Sequence, residues 1–357
     1  MSHDVSGPRI EEDRIVFTFP DPDHELLAVR LYQEIERPRN GPDFVYVEAE
    51  GIWQLEMRPP NADRIEYLIE LQHADGSFEM LRDPNNPVTS DGAFGAKSVV
   101  QMPGYTPPRW LEEDAPRGPI EETSLRCRAI KDRLYTQIWR PHGDDGSQPL
   151  PLLVVHDGPE YAKLSGLTHL FDVCVAHDRL PPFRAVLIEP KDRDQIYSAS
   201  ASYARSLAQE MIPALLDRLP TPSGRNNRIG MGASLGALAM LHAHRRSPAA
   251  FGALFLQSGS YFRMRFDKQE SGFVRFRRIS RFVGEVLTAE HWAHPVPVTL
   301  TCGTIEENLA NNRAVSEALL RQGYDVRLFA NRDGHNWVGW RDTFEPHLVD
   351  LLNRMWR

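Results

Sequence analysis

The run Arg228-Ile229-Gly230-Met231-Gly232-Ala233-Ser234-Leu235-Gly236-Ala237-Leu238-Ala239-Met240-Leu241 constrains the fold more than any other stretch of this chain. Its first residues read as a short buried strand, and Leu235 onward reads as a helix rich in Ala and Leu. Ser234 sits between them in a G-x-S-x-G pattern, and this strand-to-helix context makes the pattern a nucleophile elbow. Chance supplies the bare pattern in roughly one chain in ten of this length, so the flanking strand and helix carry the weight. Gly232 and Gly236 have a steric reason: so tight a turn brings backbone against both positions, leaving no space for a Cβ. Ser234 is expected in a strained conformation with its hydroxyl exposed. The competing reading makes Ser234 an ordinary helix N-cap.

An activated serine needs a base within hydrogen-bond reach and a carboxylate to orient that base. In α/β-hydrolases these follow in the order Ser, acid, His. From Ile120 onward, apolar runs alternate with helical segments, as in a mostly parallel sheet covered on both faces. Candidate strands are Leu134 to Arg140, Leu150 to His156, Ala185 to Glu189, the elbow strand, Phe251 to Leu256, Val296 to Thr301 and Asp325 to Phe329. A helix is expected from about Ser202 to Leu219, with Pro213 as a possible kink. Ligands in such sheets bind beyond the strand C-termini. Glu306 and Glu307 follow one of these strands, and His335 follows the last in Asp333-Gly334-His335-Asn336-Trp337. His335 is the expected base. Glu306 is preferred over Glu307 as the acid because it comes earlier in the turn, with Asp333 and Asp157 as outside alternatives. The oxyanion donors are expected to be the amides of Leu235 and Gly158, the latter in the turn after His156.

The first hundred residues have a different texture. Trp53, Leu55 and Met57, then Ile65, Tyr67, Ile69 and Leu71, alternate with polar neighbours, and Val29 and Leu31 fit the same scheme. Turn sequences such as Arg39-Asn40-Gly41-Pro42 and Asp75-Gly76 separate them, which predicts an antiparallel sandwich. The expected division is a β-sandwich over 1–105, a proline-rich linker over 106–119 and a catalytic α/β domain over 120–357.

Forty-one Lys and Arg against 49 Asp and Glu give the 357-residue chain a net charge of -8, which argues against general nucleic-acid binding and adhesion to anionic membranes. No run reaches the length of a membrane span. Met1 to Arg14 has no apolar signal-peptide core. Cys127, Cys174 and Cys302 are scattered and odd in number, pointing to neither a disulfide framework nor a zinc site. A reducing cytoplasm is expected, with no metal and no cofactor.

Gly232-Ala233-Ser234-Leu235-Gly236-Ala237, Gln257-Ser258-Gly259-Ser260, Cys302-Gly303-Thr304-Ile305-Glu306-Glu307-Asn308 with Asn312-Arg313, and Asp333 to Trp337 with Trp340-Arg341-Asp342 resemble the blocks of the enterochelin esterase family. The strands before Tyr105, with Asp83-Pro84-Asn85-Asn86-Pro87 and Gly95 to Tyr105, resemble its immunoglobulin-like early-set domain. The resemblance implies an α/β-hydrolase with that domain in front, hydrolysing the trilactone of a catecholate siderophore in its ferric form. It also implies Arg193 and Trp337 as substrate contacts, although Ile196 stands where relatives of Arg193 commonly carry a Glu. Independently, Arg263, Arg265, Lys268, Arg275, Arg277, Arg278 and Arg281 crowd the stretch after one strand end. They read either as an electropositive lid for an anionic aromatic substrate, with Arg263 and Arg265 foremost, or as the wet side of a helix buried through Phe273, Phe276, Ile279 and Val283. The expected partner is a small anionic ester. A carbohydrate-acyl esterase (acetyl or feruloyl), an acyltransferase with the same triad, and a non-catalytic binding protein on this scaffold are the alternatives.

Overall fold

The structure is a computed structural model that describes residues 7–357, so the first six residues of the stretch read for a signal peptide lie outside the described residues. The described chain forms two compact units, one of residues 7–106 with 303–307 and 331–339, the other of 107–302, 308–330 and 340–357.

In the first unit the alternating segments pair into two antiparallel sheets. One runs in the order Arg9–Ile10, Ile15–Pro20, Ile52–Met57, Val45–Val47. The other runs Asn40–Asp43, Leu26–Gln33, Arg64–His73, Lys97–Gln101, Thr89–Ser90, with Phe78–Leu81 added on Arg64–His73. The inward residues of the two sheets, among them Phe17, Val29, Leu31, Trp53, Leu55, Ile65, Tyr67 and Ile69, form one apolar core. Period-two alternation produces this because successive side chains leave a strand on opposite faces.

The second unit is organised around an eight-stranded sheet: β1 (Ile120–Cys127), β2 (Asp132–Trp139), β3 (Leu152–His156), β4 (Arg184–Glu189), β5 (Arg228–Ala233), β6 (Ala253–Gln257), β7 (Pro297–Gly303) and β8 (Asp325–Asn331). The order β1-β2-β4-β3-β5-β6-β7-β8 is that of an α/β-hydrolase. β1 and β2 form an antiparallel hairpin joined antiparallel to β4, whereas β4, β3, β5, β6 and β7 pair in parallel. The C-terminal ends of β3 through β6 therefore share one sheet edge.

One detail differs from the sequence expectation. The helix anticipated over 202–219 is interrupted: Ala201–Arg205 and Ile212–Arg218 are α-helical, and Ser206–Met211 between them is a π-helix. Pro213 withholds an amide there, and the chain widens just before it. The proline-rich segment holds one short 3-10 turn, Arg109–Glu112, whose Trp110 is fully buried near His169 and Phe344. The three cysteines are buried. No helix among the described residues is long and apolar enough to cross a membrane.

Candidate active site

Ser234 stands between β5 and α2 (Leu235–Arg246) with φ 55° and ψ -122°, a region that an L-residue occupies only under constraint. The N-cap reading fails at this point, because the serine makes no side-chain capping bond. Close packing supplies the constraint. A Cβ at Gly232 would lie 2.6 Å from the Gly236 carbonyl carbon, and one at Gly236 would lie 3.1 Å from both His156 Cβ and Asp157 Oδ2. The Ser234 amide donates to the Gln257 carbonyl at 2.9 Å, and the Ser260 amide to the Ser234 carbonyl at 3.1 Å. The Ser234 hydroxyl lies 3.0 Å from that of Ser260.

Glu306 and His335, in the first unit, are brought together: Glu306 Oε2 is 2.7 Å from His335 Nδ1. The Glu306 side chain is almost wholly buried, and that of His335 is 30% exposed. The other oxygen of Glu306 accepts the Gly303 amide at 2.8 Å. A Cβ at Gly303 would meet the Asp333 carbonyl oxygen at 2.2 Å, so this glycine lets the acid-bearing and histidine-bearing loops touch. Glu307 faces elsewhere, bonded to Arg37 at 2.8 and 2.9 Å and to Arg39 at 3.1 Å. Burial pushes its carboxyl up, but these two guanidinium groups outweigh that and hold it below the usual range. Asp333 accepts from Arg64, from the Gly334 amide and from Asn336.

In the second unit, Gly158 opens α1 (Gly158–Ser165) and Leu235 opens α2. Both are first helical residues, whose amides have no acceptor within the helix. Gly158 is held against β4, where an added Cβ would lie 2.3 Å from Leu187 Cα. Asp157, at φ 52°, forms a two-pronged pair with Arg193, both bonds 2.8 Å long. Arg193 is thus engaged by the loop that carries Gly158.

A family model described as "Putative esterase" matches residues 128–351. The chain belongs to this esterase family. The iron(III) enterobactin esterase of Escherichia coli K12 is 26% identical over 328 residues, covering 86% of this chain and 75% of that protein. The iron(III) salmochelin esterase of Escherichia coli O6:H1 is 24% identical over 226 residues, covering 61% and 54%. The ferric enterobactin esterase of Salmonella typhimurium superposes with a TM-score of 0.77 at 21% identity over 97% of this chain and 96% of that one, which shows a shared fold. The fold of a ferulic acid esterase matches 67% of the chain with a TM-score of 0.58 at 15% identity.

The arginine-rich stretch of this esterase divides into two parts. α3 (Phe276–Thr288) is amphipathic, burying Phe276, Ile279, Phe282 and Val283 and leaving Arg277 and Arg281 on its wet face. Phe273 precedes it. Arg275 bonds the Gln195 side chain at 2.5 Å, and Arg278 bonds the carbonyls of Ser198 and Gln195, which ties α3 to the segment that carries Arg193. Arg263 and Arg265 lie before α3 in non-helical chain, Arg263 with its guanidinium 4.3 Å from the Phe266 ring centroid and Arg265 exposed. Trp337 is half-buried at the head of the short helix Trp337–Arg341.

Sequence reasoning gave no role to His156, Gln257 or Ser260. His156 is fully buried, with Nδ1 2.9 Å from the Gly236 carbonyl and Nε2 2.8 Å from the Tyr203 hydroxyl. The carbonyl requires a proton on Nδ1, so Tyr203 donates to Nε2. Burial pushes this imidazole down to about 4, which keeps it neutral. Gln257 accepts from Tyr161 and donates to Thr301, Thr343 and the Trp340 carbonyl. His156 and Gln257 end otherwise apolar strands, and Gln257 and Ser260 fall in a block that carries the family resemblance, but neither signal names a role.

Proposed function

We propose that this chain is a serine esterase that hydrolyses the ester bonds of a catecholate siderophore such as ferric enterobactin in the cytoplasm, with Ser234 as nucleophile, His335 as base and Glu306 as the orienting acid. The bond between Glu306 and His335 carries this reading most directly. A carboxylate on Nδ1 holds a proton there and leaves Nε2 as the basic nitrogen. Ser234 attacks the ester carbonyl while His335 takes its proton, and the amides of Leu235 and Gly158 receive the oxyanion. His335 returns the proton to the departing alcohol. Water then attacks the acyl-enzyme with His335 again as base, regenerating Ser234.

The substrate class is supported by relatives named for iron(III) enterobactin and iron(III) salmochelin, together with the exposed cations Arg265, Arg277 and Arg281 and the 69% exposed ring of Phe266. Arg263 lies over the Phe266 ring, and a cation with an aromatic ring, among further exposed cations, suits an electron-rich, anionic aromatic ligand. The deciding experiment follows iron-loaded and iron-free enterobactin, a feruloyl ester and a p-nitrophenyl ester by mass spectrometry, with wild type and Ser234→Ala. Ser234-dependent opening of the trilactone is expected. Cleavage of the feruloyl ester alone would replace the siderophore with a plant-phenolic substrate, and activity retained in Ser234→Ala would remove the triad. If the cations steer substrate, rising salt lowers the rate on the anionic ester selectively.

A further inference from the structure

His335 projects from a loop whose conformation no local sequence rule dictates, yet a triad base must be held within about 0.5 Å of its working position. The source of that order lies in the first unit. Arg64, at the start of strand Arg64–His73, is 3% exposed, and its Nη1 lies 3.3 Å from Asp333 Oδ2 and 3.4 Å from Asn336 Oδ1. The network continues inward. Asp333 Oδ1 accepts the Gly334 amide and the Asn336 side chain, both at 2.7 Å, and Asn336 Oδ1 accepts the Gly339 amide at 2.7 Å. His335 sits between the two residues that Arg64 grips. A second set of bonds fixes the ends of both loops: the Asp63 amide donates to the Arg332 carbonyl at 2.6 Å, Arg332 Nε to Asp63 at 2.7 Å, and the Thr304 hydroxyl to the Asn61 carbonyl at 2.5 Å.

We propose that Arg64 is a positioning residue for the base: by holding Asp333 and Asn336 from the β-sandwich, it fixes the loop that presents His335 to Glu306, making residues 61–64 part of the catalytic apparatus. This rests on the reading of His335 as the base. Arg64 acts through the loop and touches no substrate. Its surroundings fit the role. A cavity of about 20 Å³, room for one water, is bordered by Glu34, Arg64, Glu66, Lys97, Asp333 and His335. Burial pushes Glu34 up, but Lys97 3.0 Å away, Arg39 and the charged form of His335 together outweigh it and hold its carboxyl below the usual range.

The test compares Arg64→Met, Arg64→Lys and the control Arg30→Met, which removes bonds to Asp43, Glu70 and Gln72 elsewhere in the sandwich. Steady-state kinetics with a p-nitrophenyl ester, thermal unfolding and the side-chain NMR resonances of 15N-histidine-labelled protein are read for each. Arg64→Met is expected to lower kcat about thirtyfold with KM within twofold, since small misplacements of catalytic groups cost this much. Its His335 Nδ1–H signal should move or broaden, Arg64→Lys should recover part of both effects, and Arg30→Met should lower the melting temperature with kcat within twofold. An Arg64→Met enzyme with kcat within threefold of wild type and an unchanged His335 resonance overturns the proposal, however far its melting temperature falls. If Arg64→Met does not fold, Asn336→Ala cuts the same network at its far end and is judged by the same readouts. If wild type cleaves no ester, the proposed function fails on that result, and the resonance alone decides the role of Arg64.

Discussion

The nucleophile and the acid–base pair are held by opposite means. Ser234 is fixed by backbone and by the absence of side chains: Gly232 and Gly236 allow strand and helix to close on it, and the amides around it bond to carbonyls. Glu306 and His335 are fixed by charge, in loops bound through Arg37, Arg39, Arg64 and Arg332 to carboxylates and amides of their own unit. The elbow should therefore tolerate no added atom and be indifferent to salt. The acid–base loops should accept changes in side-chain size but respond to loss of a buried charge, such as that of Arg64 beside Asp333.

The largest expected effect tests the elbow. Ser234→Ala should lower kcat about a millionfold, as in other serine triads, and leave the melting temperature within a few degrees of wild type. Glu306→Gln should cost about 10⁴ in kcat, because an amide at Nδ1 permits the wrong tautomer. Glu307→Gln should cost less than about threefold in kcat, since its partners are Arg37 and Arg39. Equal losses for the two glutamates would break the assignment. Gly232→Ala should instead act on folding, destabilising by about 3 kcal/mol or more in denaturant titrations, because the atoms its methyl meets are backbone. A stable Gly232→Ala protein would show that the elbow is softer than its packing implies.

This contrast also explains what could be read from the sequence. The elbow was legible because all of its determinants lie within the single run 228–241: apolar strand, two glycines, serine, helix. The sandwich strands around Trp53 and Tyr67 were legible because burial on one face imposes a period of two. Ile120–Cys127 was not, because it is an edge strand with most of its side chains at least partly exposed and so carries little apolar signal. The separation of Glu306 from Glu307 could be guessed from turn position, but its physical cause, Arg37 and Arg39 lying some 270 residues away in sequence, is invisible to any local rule. The same holds for Arg64 with Asp333, and for His156 with Gly236. A buried histidine at the end of an apolar strand gives no hint in sequence of which carbonyl it serves.

His156 provides the last and smallest test, because this titratable side chain bonds the Gly236 carbonyl of the elbow helix. Burial lowers it to about 4, whereas an unfolded histidine titrates near about 6.5. Between these values the unfolded chain binds a proton that the folded chain refuses, so the stabilisation is complete above about pH 6.5 and declines as pH falls toward about 4. The expected slope is about 1.4 kcal/mol per pH unit for this residue alone. His242 and His244, also pushed to about 4 by burial, add slopes of the same sign. In His156→Asn an amide donor can still reach the Gly236 carbonyl while the titration is removed. Denaturant titrations of wild type and variant between pH 7 and 4.5 should therefore diverge from parallel, the variant losing stability less steeply. Parallel curves would mean that His156 accepts a proton within the folded protein. An ionic group would then support the elbow as well, and its contrast with the acid–base loops would reduce to a difference of degree.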